Sequence, residues 1–233
     1  MSRIVEVYTG AYASGKSEIA INRSLALRNE GTPTIVDLDT VEPAYTLRPI
    51  IKELSDLGLK VIAQDKAFGF GEAGNVINAE QQNCLLQPNN TIIDVGYGVG
   101  GLDILELING IENEQNLSIN LVLNTSKFET SNVDSILEYV DWYSAKKTGW
   151  KRITGIIANP HFGDETTFED IKNGLEIVKE AAAKMELPII AIGMAEKLAP
   201  PSQIDNIPVW SLKRFMPRTM WESASINTWQ SNL

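Results

Sequence analysis

The chain has 233 residues, 43% of them hydrophobic, which is enough for a sizeable core and too apolar for a disordered segment. The 20 Lys and Arg stand against 30 Asp and Glu, a net charge of −10, and a surface of that sign argues against nucleic-acid binding. Cys84 and His161 are the sole cysteine and histidine, which excludes an intramolecular disulfide framework and a single-chain CxxC site, and no GxSxG is present for a Ser/His/Asp triad.

Short apolar runs alternate with longer helical patterns. Residues 4–8 (IVEVY) read as a strand and 17–29 as a helix with Ile19, Ala20, Leu25, Ala26 and Leu27 on or near one face. Strand 34–38 (TIVDL) follows, then helix 47–57 stopped at Gly58, then an extended 60–63. Residues 91–95 (TIIDV) form a buried strand that runs into GYGVGG. Strand 117–123, helix 132–145, strand 153–158, helix 167–184 and strand 188–192 complete the regular series. Strands separated by helices of this length predict βαβ units: a single α/β domain, doubly wound, with a mostly parallel sheet of about seven strands. Its expected extent is 1–198. After Leu198 the pattern changes, and Pro200, Pro201, Pro208 and Pro217 interleave with Trp210, Phe215, Trp221 and Trp229. This 199–233 tail is expected to pack on the same domain, an interface being the other reading. Cys84, beside Leu85 and Leu86, reads as a buried small apolar residue. No signal peptide precedes the first strand and no apolar run approaches membrane-spanning length, so a cytoplasmic protein without membrane contact is expected.

Between the first strand and first helix lies Gly10-Ala11-Tyr12-Ala13-Ser14-Gly15-Lys16-Ser17, a complete GxxxxGK[ST] followed by Glu18. The glycines let successive backbone N–H groups turn inward, and the helix adds its positive end, so the loop is predicted to cradle phosphates. Lys16 should reach the β- and γ-phosphates, and the Ser17 hydroxyl should ligate Mg²⁺.

Such a loop needs acids nearby to hold the metal and orient the attacking water. Asp37 and Asp39 end the second strand, on the same side by alternation, and Asp94 ends TIIDV. All three fall on the edge of the sheet where ligands gather. Gly96, Gly98, Gly100 and Gly101 after Asp94 suggest a loop that orders around a triphosphate.

The order GAYASGKSE, VDLDTVEP, IIDVGYGVGG, IIANP resembles the SIMIBI class of P-loop NTPases, and most closely the MinD/ParA/CobQ/CobB-type ATP-binding proteins. The resemblance implies the P-loop NTPase fold, ATP and Mg²⁺ as ligands, and slow hydrolysis to ADP. It makes Lys16, Asp39 and Asp94 the catalytic residues: Asp39 orients water and Asp94 is the Walker-B carboxylate. Ser17, Asp37 and Asp94 would serve the metal, GYGVGG would be switch II, and the segment after Asp39 switch I. Asn159 takes the place where the class reads adenine, GMAEKLAP would flank the base, and Asn124 is a second polar candidate. One departure matters, because Ala11 stands where the partitioning ATPases and the nitrogenase iron protein carry a lysine that acts across a dimer. A homodimer therefore stays open, without lysine-mediated catalysis in trans.

Two functions from different classes follow. The first is an ATPase switch for an unidentified protein client, its slow turnover reflecting the lack of an arginine finger in cis; Arg48 is the candidate, against a solvated helix-start arginine. The second is a small-molecule kinase or a ligase of the dethiobiotin-synthetase type, with an acceptor pocket along 64–79 that includes Lys66, Phe68 and Phe70.

Overall fold

In the computed structural model, residues 3–39, 47–64, 77–97, 101–144 and 149–216 are described. Nine strands make one sheet: β1 (Val5–Gly10), β2 (Thr34–Leu38), β3 (Lys60–Ile62), β4 (Thr91–Val95), β5 (Leu117–Leu123), β6 (Gly155–Ala158), β7 (Ile189–Ala195), β8 (Gln203–Ile204) and β9 (Ile207–Leu212). Their spatial order is β3-β2-β4-β1-β5-β6-β7-β9-β8. All neighbours run parallel except β8, which is antiparallel to β9. From β1 the chain moves outward to β2 and β3, returns through β4, and then builds in the other direction from β5. The direction of winding thus reverses beside β1, and in open α/β sheets that is where a ligand crevice opens.

The helices are α1 (Lys16–Ala26), α2 (Ile51–Asp56), α3 (Ala79–Gln82), α4 (Val133–Ser144) and α5 (Phe168–Met185). Alternation divides the strand side chains between two cores. On one face Tyr8, Ile35, Ile92, Val122 and Ile157 pack against Ile19, Ala20 and Ile21 of α1 and Leu54 of α2. On the other, Val7, Val36, Ile93 and Ile119 meet Leu102, Leu105 and Ile108, while Leu121, Leu123 and Ile156 meet Ile136 of α4 and Leu175 and Val178 of α5. Burial on both faces explains why β2, β4 and β6 read as continuous apolar runs. Cys84 is buried in the second core, where burial pushes its thiol up to about 11 and leaves it inert.

The strand count corrects the expectation of about seven. The two extra strands come from the segment beyond Leu198. β9 adds in parallel to β7, with Ile192 opposite Val209 and Ala195 opposite Leu212. The two-residue turn Asp205-Asn206, both at positive φ (50° and 63°), returns β8 onto β9 with Ile204 opposite Ile207. Asp and Asn tolerate that left-handed backbone better than other non-glycine residues. Phe215 is buried in one cluster with Ile19 and Leu212; Pro217, Trp221 and Trp229 lie outside the described residues. Among those described, no helix is long and apolar enough to cross a membrane.

Candidate phosphate-loop site

β1 ends at Gly10, and the loop to α1 folds on itself through Ser14 N–H donating to the Ala11 carbonyl at 3.2 Å. A Cβ on Gly10 would stand 2.6 Å from the Val122 carbonyl oxygen of β5, so only glycine lets the loop leave the sheet there. Gly15, at φ 88°, caps α1, and Ile19 N–H returns to its carbonyl at 3.0 Å. The sequence-predicted loop Gly10–Ser17 therefore has the strand-turn-helix setting its motif needs.

The predicted acids gather beside it. Asp37 and Asp94 are register partners on β2 and β4, and Tyr8 of β1 is in register with Asp94. Lys16 is almost fully buried, with its Nζ 3.7 Å from Asp39 Oδ2 and 6.0 Å from the Tyr97 ring centroid. Burial pushes the Asp94 carboxyl up to about 8; the Lys16 charge opposes this, and Asp37 adds to it. Among the described residues neither Asp94 oxygen has a well-formed hydrogen bond, although the Ser17 hydroxyl stands close enough to favour the charged form. Asp37 is raised to about 6, first by burial and then by the Asp39 charge. Its two oxygens accept the N–H groups of Asp39 and Leu47, both at 3.0 Å, so the carboxylate ties together the ends of the predicted switch-I segment. Residues 40–46 of that segment, and 98–100 of GYGVGG, lie outside the described residues.

An Mg²⁺ ion fits this donor set. It takes one or two carboxylates with waters and phosphate oxygens rather than an all-protein cage. No group of three or more His, Cys, Asp or Glu side chains forms such a cage among the described residues. The unsatisfied buried carboxylate of Asp94, with Ser17 beside it, is the hard-oxygen set that would hold the ion.

A cleft of about 560 Å³ runs from this cluster between the C-terminal ends of β1, β6, β7 and β9. Tyr12, Lys16, Asp39 and Tyr97 line its phosphate-loop end, with Tyr12 and Tyr97 packed edge-on at 5.4 Å. Asn159, His161, Asp164, Gly193, Met194 and Arg214 line it on the side of β6, β7 and β9. Asn159 is buried, and its Nδ2 donates to the Ser14 carbonyl at 2.8 Å. Asn124, also predicted, is fully buried behind the loop: it donates to the carbonyls of Ala13 (3.4 Å) and His161 (3.2 Å) and accepts the His161 N–H. Glu18 also lines the cleft, and its carboxylate accepts the backbone N–H groups of Phe215 and Met216.

Other expectations shift. Arg48 is buried rather than solvated, donating to Gln64 Oε1 at 3.1 Å and lowering Asp37 by its charge. The proposed acceptor residues Lys66, Phe68 and Phe70 lie outside the described residues. Sequence reasoning missed His161, Asp164, Lys213 and Arg214 as cleft residues. They converge only because β9 lies beside β7, and no local motif carries that information.

No protein-family model matches the sequence, and no curated protein is similar to it. Solved structures are. FtsY, a cell division protein from Thermotoga maritima, superposes with a TM-score of 0.54 at 14% identity, over 93% of this chain and 66% of that one. The signal recognition particle receptor FtsY from Elizabethkingia anophelis, in complex with GDP, gives 0.54 at 14%, over 94% and 62%. The chloroplast FtsY from Physcomitrella patens gives 0.55 at 12%, over 83% and 59%. The chain thus spans at most 66% of the length of these proteins. At 12–14% identity the likeness is one of fold. The fold of this chain is that of these FtsY structures, a mostly parallel α/β sheet with helices on its faces.

Proposed function

We propose that the chain binds ATP with Mg²⁺ at Gly10–Ser17, hydrolyses it slowly, and works as a nucleotide-controlled switch or assembly factor for a protein client in the cytoplasm. The observation that carries this reading is Lys16 and Asp39 lining one crevice at a complete phosphate loop, with the buried Asp94 carboxyl next to Lys16 and Ser17. Lys16 supplies the charge that meets the β- and γ-phosphates, the loop amides hold the phosphate oxygens, and Asp39 orients the attacking water. Ser17 and Asp94 would hold a magnesium ion, which would neutralise phosphate charge, and Asp37 would support that shell while its oxygens hold the N–H groups of Asp39 and Leu47. Slow turnover is supported by Arg48, which is drawn inward to Gln64. The preference for adenine rests on Asn159, whose buried amide lines the base end of the cleft.

Calorimetry with Mg²⁺ and ATP, GTP or ADP, on wild type and Lys16→Ala, tests the reading. ATP-selective binding that disappears in the variant supports it. Selective GTP binding overturns the adenine assignment, and binding unaffected by Lys16→Ala overturns the site itself. Stimulated ADP release on adding a second protein separates the switch from a metabolic enzyme, whose turnover would respond to a small acceptor.

A further inference from the structure

Glu18 follows directly on the loop's last residue, where a carboxylate facing the cleft would repel a triphosphate. Glu18 does line the cleft, but its carboxylate is occupied by backbone N–H groups of residues 215–216. Its Oε1 accepts the N–H groups of Phe215 at 2.9 Å and Met216 at 2.7 Å, and Oε2 accepts Phe215 at 3.1 Å. One turn later on the same helix face, Asn22 binds the backbone of Lys213 from both sides: Nδ2 donates to its carbonyl and Oδ1 accepts its N–H, each at 2.9 Å. Phe215 between these anchors is buried among Ile19 and Leu212.

The segment so held is not a remote surface. Leu212, Lys213, Arg214 and Met216 form a wall of the cleft on the β9 side of the sheet, across β1 from the β2 end that carries Asp39. Arg214 closes that wall against the loop after β6, its Nη1 lying 2.6 Å from Asp164 Oδ1. The wall thus belongs to a part of the chain about 200 residues beyond the phosphate loop, yet it is fixed to the helix that the loop opens.

We infer that Glu18 is a positioning residue for the nucleoside half of the ligand: its grip on residues 215–216 holds the 212–216 wall against which base and ribose pack. The inference rests on the nucleotide reading of the cleft. Affinity for the whole nucleotide depends on Glu18, whereas affinity for the phosphate chain alone does not.

The test compares Mg·ATP with Mg·tripolyphosphate by calorimetry on wild type, Glu18→Ala, Glu18→Gln and Asn22→Ala. Glu18→Ala is expected to weaken ATP about tenfold while leaving tripolyphosphate within about twofold. Glu18→Gln recovers most of the loss, because one oxygen already accepts both N–H groups in the wild type. Asn22→Ala, a full turn from the phosphate loop, moves ATP in the same direction and guards against a Glu18→Ala chain that fails to fold. Equal losses on both ligands, or none on either, overturn the positioning role while the nucleotide reading stands. A wild type that binds neither ligand overturns both.

Discussion

Asp37 and Asp94 are register partners on adjacent parallel strands, so two buried carboxyls lie side by side behind the phosphate loop with Lys16 as the nearby cation. Both are raised, Asp94 to about 8 and Asp37 to about 6, by burial first. An unfolded aspartate titrates near pH 3.9, so between that value and 8 the folded chain holds protons that the unfolded chain has lost. Stability of the unliganded protein therefore falls as pH rises through this window. Asp94→Asn removes the steepest part. Denaturant midpoints measured at pH 5, 7 and 9 should converge between variant and wild type at low pH and separate in favour of the variant at high pH. Parallel curves would show that Asp94 ionises freely in the folded chain.

Gly193 of β7 leaves room for Asn159. A Cβ there would sit 2.4 Å from Asn159 Oδ1 and 3.0 Å from the Ile19 and Leu212 methyls. Gly193→Ala should displace the Asn159 amide, the softest of these neighbours, and cost about 1–3 kcal/mol of stability by overpacking. Nucleotide affinity should fall about tenfold with the circular dichroism spectrum unchanged. Unaltered affinity would mean that Asn159 neither supports the loop nor meets the base.

How much of this was legible beforehand depends on how far apart the interacting residues lie. The phosphate loop and Asp94 are local: a glycine-rich turn between strand and helix, and an acid closing an apolar run, carry their meaning within a few residues. The partner of Glu18 is 197 residues away, and nothing near Glu18 signals that its carboxylate serves two backbone amides of the C-terminal segment. The last two strands were missed for another reason. Prolines and tryptophans drew the reading toward an irregular tail, although Ile204-Asp205-Asn206-Ile207 carries the signature of a two-residue hairpin turn. The burial of Arg48 has no local signal either: a helix-start arginine is ordinarily solvated, whereas here Gln64 and the Asp37 charge draw it inward.

Asn124 joins the phosphate loop to the loop after β6 from a fully buried position. Its amide donates to the Ala13 and His161 carbonyls and accepts the N–H groups of Ser126 and His161. Asn124→Ala leaves these groups unmatched and should cost roughly 2–4 kcal/mol, read from the denaturant midpoint. Asn124→Asp should give no rescue, because a carboxylate keeps the acceptor but turns negative charge toward two carbonyl oxygens. A variant with Asp as stable as wild type would remove the donor role.

His161, the sole imidazole, reports on the cleft wall beside Gly15 without labelling at other sites. Burial lowers it to about 4, with the Lys127 charge acting the same way, and Nδ1 accepts the Gly163 N–H at 3.3 Å. The neutral ring therefore carries its proton on Nε2. In the unfolded chain the imidazole titrates near 6.5, so as pH falls from there toward 4 the unfolded state takes up a proton that the folded state refuses. Stability is fully present above that range and is lost within it, at a slope of up to about 1.4 kcal/mol per pH unit. Proton NMR of the folded protein should show one imidazole resonance whose midpoint lies near 4, and His161→Gln should flatten the acid limb of the stability curve. A midpoint near 6.5 would mean that the ring is solvated and that the loop after β6 does not close over the phosphate loop.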